Sequence, residues 1–573
     1  MEQKNLVLAI VLSLGILIGF QILFPVPGPV PPAEQQRVEV TETPPAPATP
    51  GATPATPALV QTRPEVLAAA PRVTINSPRL SGSLSLVGGR IDDLRLKDYR
   101  ETIDPGSPQV LLLSPPGAPG AYYGEFGWVA PQGSTAATPG PDSRWMSTST
   151  EFSPTAPLTM TYDNGAGLRF TRIVEVDENY LFTVRDRVEN TTGAAVTLYP
   201  YGHVSRTGTP PTLGFFILHE GPLGVLEETL VEYSYEDLRD AGAETHRSTG
   251  GWLGITDKYW LAAVIPDQAA PYEAGFRYSN QGGTDNYQTY FRRDAMTIAA
   301  GGNAEVTHRF FAGAKEVATL EAYQERLGIQ RFDLAIDWGW FFFLTKPIFA
   351  AIDWLYRLFG NFGVAIIVFT IFIRILFFPL ANKSFKSMAG MRKIQPEVLR
   401  IREAYANDRE RQTREIMDLY RKAGVNPLSG CMPILLQIPV FFALYKVLFV
   451  TIEMRHAPFY GWIKDLSAPD PTTIFNLFGL IPWTPPGFLM IGVLPIIMGV
   501  TMYVQQKLNP VPPDPIQQRI FMLLPIIFTF ILAPFPAGLV LYWTVNNVLS
   551  MAQQWIIIRQ TEAGGGAKAK SAT

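Results

Sequence analysis

Long apolar runs fill much of the second half of the chain and predict membrane-spanning helices. Residues 362–380 read FGVAIIVFTIFIRILFFPL, with Arg374 as their one charged residue. A helix of that length is about 28 Å long, close to the hydrocarbon thickness of a bilayer. The apolar runs together predict six transmembrane helices, within residues 1–24, 361–382, 427–450, 486–506, 520–534 and 536–558.

Residues 72–335 show a different pattern, in which apolar and polar positions alternate over short runs. Along YLFTVRDRV, Tyr180, Phe182 and Val184 fall on one side of an extended chain. Glycine, proline, asparagine and aspartate separate many such runs. The alternation predicts an all-β sandwich domain. The fold class is therefore a membrane α-helical protein with a β domain between its first two spans.

Three segments flank the β domain. Residues 1–24 are followed by no Ala-x-Ala cleavage motif, so we interpret them as an uncleaved signal anchor. Residues 25–71 hold thirteen prolines in forty-seven positions, which is typical of an extended linker. Residues 336–360 are too polar to span and predict an amphipathic helix in the membrane interface, with Trp338, Trp340 and Trp354 at headgroup level.

Residues 383–424 carry eleven Lys or Arg against six Asp or Glu. Apolar residues recur at helical spacing on both sides of Asn407 and Asp408, which suit a helix N-cap. We therefore predict a helical hairpin, whereas a merely solvated loop would explain the charge but not the apolar stripe. Its candidate functional residues are basic: Arg392, Lys393, Arg400, Arg402, Arg409, Arg411 and Arg414.

The distribution of basic loops predicts how the chain crosses the membrane. Loops rich in Lys and Arg stay in the cytoplasm. This rule places the hairpin, the 507–519 loop and the 559–573 tail inside. Residues 25 to about 357 and the 451–485 loop then lie outside, and both chain ends are cytoplasmic.

Arg374 is the strongest candidate functional residue in the predicted spans. A charged residue at the centre of a spanning helix costs about 2.5–3.5 kcal/mol, and such residues face a bundle interior or a water-filled cavity. Thr370 and Asn382 would share its helical face. Snorkelling to the headgroups is the alternative interpretation. The last span carries a second polar stripe: Tyr542, Asn546, Ser550 and Gln553.

Composition narrows the class of protein further. The 573 residues are 47% hydrophobic and 17% charged, as expected for a polytopic membrane protein. A single cysteine, Cys431, excludes an internal disulfide framework. The histidines of the β domain lie far apart without metal-ligand spacing, and no nucleophile elbow or phosphate loop occurs. We therefore expect no metal, no cofactor and no enzymatic activity.

Long motifs in the helical half resemble the YidC/Oxa/Alb family of membrane protein insertases, in its Gram-negative form with a large periplasmic domain. The resemblance rests on FFPLANKSFKSMAGMRKIQPE, YRKAGVNPLSGCMPILLQIPVFFALY, MRHAPFYGWIKDLSAPDP and DPIQQRIFMLLPIIFTFILAPFPAGLVLYWTVNN. It implies a five-helix insertase core, a supersandwich periplasmic domain and a positively charged hydrophilic groove open to the cytoplasm. The groove residues would be Arg374, Thr370, Gln437, Tyr542, Trp543 and Asn546.

The resemblance also implies a mechanism and partners. Nascent membrane proteins would enter the groove and leave sideways into the inner membrane along an apolar slide that includes Ile438, Phe441 and Phe528. The partners would be the lipid bilayer, the Sec translocon and the ribosome, with no sequence-specific nucleic acid. Two features depart from the family pattern: Lys446 in the third span, and a short tail with two lysines. The alternative is a transporter or channel that uses Arg374.

Overall fold

The computed structural model describes residues 61–212, 218–426, 432–479, 481, 483, 485–486, 490–508 and 515–570. The predicted anchor, most of the linker and Cys431 lie outside these residues. The chain divides into two compact units, Met1–Trp340 and Phe341–Thr573. The predicted β domain falls in the first unit, and the predicted core helices fall in the second.

The first unit contains two large sheets, and its core lies on their buried faces. The strands are β1 Arg72–Asn76, β2 Leu80–Ser85, β3 Arg90–Arg100, β4 Gln109–Leu113, β5 Tyr122–Val129, β6 Glu151–Phe152, β7 Leu158–Asp163, β8 Leu168–Val176, β9 Leu181–Asn190, β10 Val196–Thr207, β11 Gly221–Leu226, β12 Thr229–Glu232, β13 Ala243–Thr249, β14 Trp252–Thr256, β15 Trp260–Ile265, β16 Pro271–Gln281, β17 Thr284–Arg293, β18 Met296–Ile298 and β19 Asn303–Ala314. One sheet has the strand order β13-β16-β17-β10-β5-β3-β2-β1-β6, with β18 paired to β10 and β4 paired to β3. The other sheet has the strand order β12-β11-β14-β15-β19-β9-β8-β7.

The predicted alternation along these strands is confirmed. In β9, Phe182, Val184 and Val188 are buried while Arg187 is exposed. Period-two burial follows from the pleat of a strand, whose successive side chains point to opposite faces. The alternation in the sequence therefore predicts which face of this sheet is buried.

The described residues also include α-helices in both units. Three short ones belong to the first unit: α1 Arg63–Ala69, α2 Tyr235–Ala241 and α3 Val317–Leu327. The second unit contains α4 Phe342–Phe359, α5 Phe362–Leu376, α6 Phe378–Ala404, α7 Arg409–Lys422, α8 Met432–Val450, α9 Val493–Leu508, α10 Pro515–Leu532 and α11 Ala537–Lys570.

The helix that carries Arg374 is shorter than predicted. α5 ends at Leu376, and α6 continues after a bend of 68°. Pro379 is the second residue of α6; proline disfavours the helical conformation of the residue before it and donates no N–H. Asn382 lies beyond this bend, so the expectation that it extends one continuous helical face with Thr370 and Arg374 was wrong.

Within the described residues, no individual helix is both long and apolar enough to cross a membrane, whereas α5 and α6 taken together pass that test across their bend.

The predicted interfacial segment 336–360 is divided. The helix begins at Phe342, and Trp338 belongs to the first unit, where its side chain is buried and its indole N–H donates to the Asp333 carbonyl at 3.2 Å. The expectation that Trp338 lies at headgroup level was therefore wrong. Trp340 and Trp354 are exposed.

The predicted hairpin is present as α6 and α7. Its second helix begins after Asp408, whose carboxylate accepts a hydrogen bond from the Arg411 amide at 3.0 Å. This contact confirms the predicted N-cap. α10 begins at Pro515, before the predicted start at 520, because proline is favoured at the first helical position. α11 continues past the predicted end at 558.

Candidate functional site

Arg374 lies in the last turn of α5 and is held by neutral groups of two other helices. Its Nε donates to Asn546 Oδ1 at 2.7 Å, and its Nη2 donates to the Asn546 carbonyl at 3.2 Å and to the Ser550 hydroxyl. Gln437 Oε1 of α8 accepts a weaker bond at 3.4 Å. The planar guanidinium suits this arrangement because its donors point in several fixed directions at once.

The acceptors on α11 are themselves ordered. Asn546 and Ser550 are one helical turn apart, so both face Arg374. The Ser550 hydroxyl donates to the Asn546 carbonyl at 2.6 Å while its oxygen accepts from Arg374. Both side chains are buried. The network therefore fixes the guanidinium against α11.

No carboxylate balances this charge among the described residues. Ion pairs between described residues of the helical unit include those of Arg357 with Asp353, Arg414 with Glu410 and Arg421 with Asp418, and none of those described includes Arg374. Amide, hydroxyl and carbonyl groups orient a cation without neutralising it. Arg374 therefore keeps its positive charge.

A cavity opens beside the guanidinium. Its volume of about 30 Å³ is enough for about two water molecules. Arg374, Gln437, Tyr542 and Asn546 supply its polar lining, and the remaining lining is apolar: Ile373, Phe377, Leu380, Ala381 and Val440. The first turn of α6 thus helps to enclose the cavity, because the bend after α5 turns that segment across it.

The predicted groove residues divide into two groups in the structure. Gln437, Tyr542 and Asn546 surround the cavity with Arg374. Thr370 does not line it: its hydroxyl donates to the Ile366 carbonyl within α5 at 2.6 Å. Ser550 was not among the predicted groove residues, although its spacing of four residues from Asn546 was the signal that could have placed it there.

Trp543 packs with the predicted slide residues instead of facing Arg374. Its ring lies 4.7 Å from that of Phe441 on α8 and 5.8 Å from that of Phe528 on α10. Ile438 is exposed on α8. The aromatic cluster therefore links the two helices on which the slide was predicted.

The predicted basic residues of the hairpin lie away from the cavity lining. Arg402 is half-buried and the other six are exposed. Arg411 lies over the Tyr405 ring at 5.0 Å, and Arg414 pairs with Glu410 at 3.4 Å. The hairpin presents a charged surface in which some cations are already engaged by neighbouring side chains.

The chain combines a large β unit with a helical unit, in which neutral groups orient an arginine that no described carboxylate balances. This combination indicates the class: a membrane protein that keeps a charge among apolar helices. Two family models match the chain: YidC periplasmic domain over residues 72–351 and 60Kd inner membrane protein over residues 354–564. The membrane protein insertase YidC of Methylobacterium sp. strain 4-46 is 49% identical, over 98% of this chain and 95% of the relative.

A second YidC, from Methylobacterium radiotolerans, is 55% identical over 84% of this chain and 79% of its own length. The chain therefore belongs to the YidC family of membrane protein insertases, which are inner membrane proteins. This confirms the predicted family and fold class. How many helices cross the membrane stays a prediction.

Solved structures were also compared. A crystal structure of an active YidC insertase with its first transmembrane domain resolved is 18% identical, covers 84% of this chain and 92% of its own, and gives a TM-score of 0.36. A galactose mutarotase related enzyme from Lactobacillus acidophilus covers 42% of this chain and 97% of its own, at 13% identity and a TM-score of 0.29.

Proposed function

We propose that this chain takes nascent membrane proteins into a positively charged groove at Arg374 and releases their helices sideways into the inner membrane. The observation that carries the proposal is the Arg374 network, in which neutral groups orient the guanidinium beside a cavity. An arginine with a purely structural role would pair with a carboxylate as readily as with neutral groups. An arginine that receives acidic substrate segments has to keep its charge available.

Electrostatics explains the use of such a site. Polar segments that must cross to the outer side are costly to transfer through hydrocarbon. A hydrated cation partway across shortens the dry distance and attracts acidic residues in these segments. Gln437, Tyr542 and Asn546 offer further hydrogen-bonding groups to the substrate backbone. The substrate displaces the waters that the cavity can hold.

Release follows from the apolar cluster beside the site. Phe441, Phe528 and Trp543 give an entering apolar helix a surface to contact before it reaches lipid. Burial in hydrocarbon then stabilises that helix by about 25 cal/mol per Å² of apolar surface. The free energy of partitioning drives release, so the step requires no nucleotide.

Topology and partners complete the proposal. The β domain lies in the periplasm, and the hairpin and both chain ends lie in the cytoplasm. The exposed cations of the hairpin suit contact with a ribosome, and the insertase works alone or beside the Sec translocon. A reporter that is active only in the periplasm should work when fused near residue 250 and fail near residue 405. The opposite pattern would overturn this topology.

Substitution of Arg374 tests the groove. Arg374→Ala should reduce insertion most for substrates whose translocated segments carry several Asp or Glu, because only these are attracted by the charge. Arg374→Lys should preserve this dependence on substrate charge while lowering stability, since one ammonium cannot reproduce the fork to Asn546 and Ser550. Arg374→Glu should insert acidic substrates least, through repulsion.

The measurement is insertion of a substrate series that differs only in the number of acidic residues, at matched protein levels in proteoliposomes. Thr370→Val is the control, because its hydroxyl bonds within its own helix. Equal losses for every substrate in the Ala variant would contradict the electrostatic groove and would indicate that Arg374 only holds the helices together.

A further inference from the structure

Five cations lie on four helices of the second unit, in the first third of α6, near the start of α10, at the end of α9 and where α11 contacts α9. We call them the basic belt: Lys383 and Lys386 of α6, Lys507 of α9, Arg519 of α10 and Arg559 of α11. All five side chains are exposed. None of the ion pairs between described residues includes any of them. The groove mechanism uses none of these residues.

Contacts between the helices bring these positions together. Ile557 of α11 packs in one buried cluster with Phe385 and Met388 of α6. The Gln554 side chain of α11 donates to the Leu508 carbonyl of α9 at 3.1 Å. The Gln506 side chain of α9 donates to the Phe521 carbonyl of α10. Each contact lies within a few residues of a belt cation, so the belt occupies one end of the bundle.

Exposed apolar side chains accompany the cations on each helix. Phe378, Tyr503, Ile520 and Trp555 are all exposed. The Lys507 ammonium lies 5.2 Å from the centre of the Tyr503 ring, and the Arg559 guanidinium lies 3.9 Å from that of Trp555. Aromatic and basic residues next to one another are typical of the boundary between hydrocarbon and headgroups.

Charge is strongly one-sided at this end. Residues 378–396, 493–508 and 515–559 contain no Asp or Glu, and the last of these stretches is flanked by Asp514 and Glu562. The acidic residues of the hairpin begin at Glu397, farther along α6. The proximal part of α6 is therefore purely basic, whereas the distal hairpin is mixed.

We propose that the basic belt binds the headgroups of anionic phospholipids. Charge complementarity favours this occupant, and the adjacent exposed apolar residues suit the acyl chains of the same lipids. The proposal depends on the proposed membrane placement of the helices but not on the groove. Bound anionic lipids would hold α6 at the membrane surface and so keep its first turn over the Arg374 cavity.

Lipid selectivity of the full-length protein tests this proposal. The protein is reconstituted in phosphatidylcholine vesicles, and spin-labelled phosphatidylglycerol is compared with spin-labelled phosphatidylcholine by the fraction of motionally restricted label. We expect a preference of about fivefold for phosphatidylglycerol, the effect of roughly one basic residue at an anionic surface. High salt should reduce it, because exposed charges are screened.

Two variants, each with five fewer positive charges than the wild type, show which cations produce the lipid preference. The belt variant replaces all five cations by Gln and should show no preference. The matched control replaces five distal cations by Gln and should keep it: Arg400, Arg409, Arg411, Arg414 and Arg421. No preference in the wild type, a preference retained in the belt variant, or equal losses in both variants would each overturn the proposal.

Two further readouts distinguish lipid binding from misfolding and from ribosome binding. If the belt variant fails to fold, judged by its near-ultraviolet circular dichroism, the wild-type salt titration decides, and a preference that is insensitive to salt contradicts the proposal. If the belt variant keeps its lipid preference but no longer binds ribosomes, the occupant is ribosomal RNA and the proposal is wrong. No substrate is present, so these results are separate from any failure of insertion.

Discussion

The two units surround an arginine with opposite kinds of partner: Arg172 is buried in the β unit, and Arg374 is half-buried in the helical unit. In the β unit, Arg172 forms two bonds to the Asp186 carboxylate, at 2.6 and 2.8 Å, and both side chains are buried. Its remaining donors meet the carbonyls of Gly89 and Phe126. In the helical unit, Arg374 meets only amide, hydroxyl and carbonyl oxygens among the described residues.

The difference lies in whether the partners neutralise the guanidinium. The bidentate pair of Arg172 places a full counter-charge directly against the guanidinium. The hydrogen bonds to neutral acceptors offset part of the free energy lost when Arg374 is desolvated, but they do not cancel its charge. The β unit therefore neutralises its buried arginine within the fold, whereas the arginine of the helical unit keeps an uncompensated charge among the described residues, as the proposed groove requires.

The largest expected effect is the loss of the Arg172 pair. Arg172→Leu leaves Asp186 buried and unpaired and should lower the free energy of unfolding of the β unit by about 3–5 kcal/mol. Thermal unfolding of the purified protein, followed by tryptophan fluorescence, measures the change. The double variant Arg172→Leu with Asp186→Leu should recover much of the stability. If it stays as unstable as the single variant, packing and not charge determines the loss.

His308 gives the β unit a dependence on pH. Its two ring nitrogens are buried with no partner among the described residues, and its ring lies against Phe126 and Phe291. Burial, aided by the charges of Arg293 and Arg172, lowers the pKa of His308 from 6.5 to about 3. The unfolded state therefore takes up a proton below pH 6.5 that the folded state does not, and stability falls as the pH falls.

His308→Phe tests this dependence. The folded state should lose about 1.4 kcal/mol per pH unit below 6.5 from this group, or roughly 2 kcal/mol at pH 5. The variant should remove that part of the slope, and stability at pH 8 should change little because the aromatic packing is kept. Denaturant titrations at both pH values measure it. An unchanged slope would show that His308 reaches solvent or another acceptor.

Asn546→Asp turns the neutral site into an ion pair like that of the β unit. The new carboxylate would face Arg374 at hydrogen-bonding distance and cancel much of its charge. Insertion of a substrate with several acidic residues should fall on the order of tenfold, equivalent to about 1.4 kcal/mol. A neutral substrate should be affected much less.

Asn546→Ala is the matched control for the ion pair. It removes the same acceptor without adding charge and should lower insertion of acidic and neutral substrates to a similar, smaller extent. Equal results for the Asp and Ala variants would indicate that orientation of Arg374 matters and its net charge does not.

The sequence predicted those features that depend on local spacing. Alternation placed Phe182 and Val184 on one face of their strand, which is the buried face, and Asp408 carried its own capping signal. The hydrogen-bond partners of Arg374 could not be predicted from local spacing, because Asn546 is 172 positions away and only the packing of α5 on α11 brings the two side chains together. The bend before Pro379 could have been read from that proline, but the unbroken apolar run concealed it.

The smallest expected effect concerns Asp408, the N-cap of α7. No side chain of α7 is buried, so its stability depends on local contacts more than on packing. Asp408→Ala should cost about 1 kcal/mol locally, and amide exchange across the first turn of α7 should quicken about fivefold. Asp418→Ala in the same helix is the control, because it removes only an exposed pair with Arg421, which contributes little. Equal exchange in the two variants would mean that tertiary contacts, and not the cap, hold this helix, which would make the hairpin resemble the packed β unit.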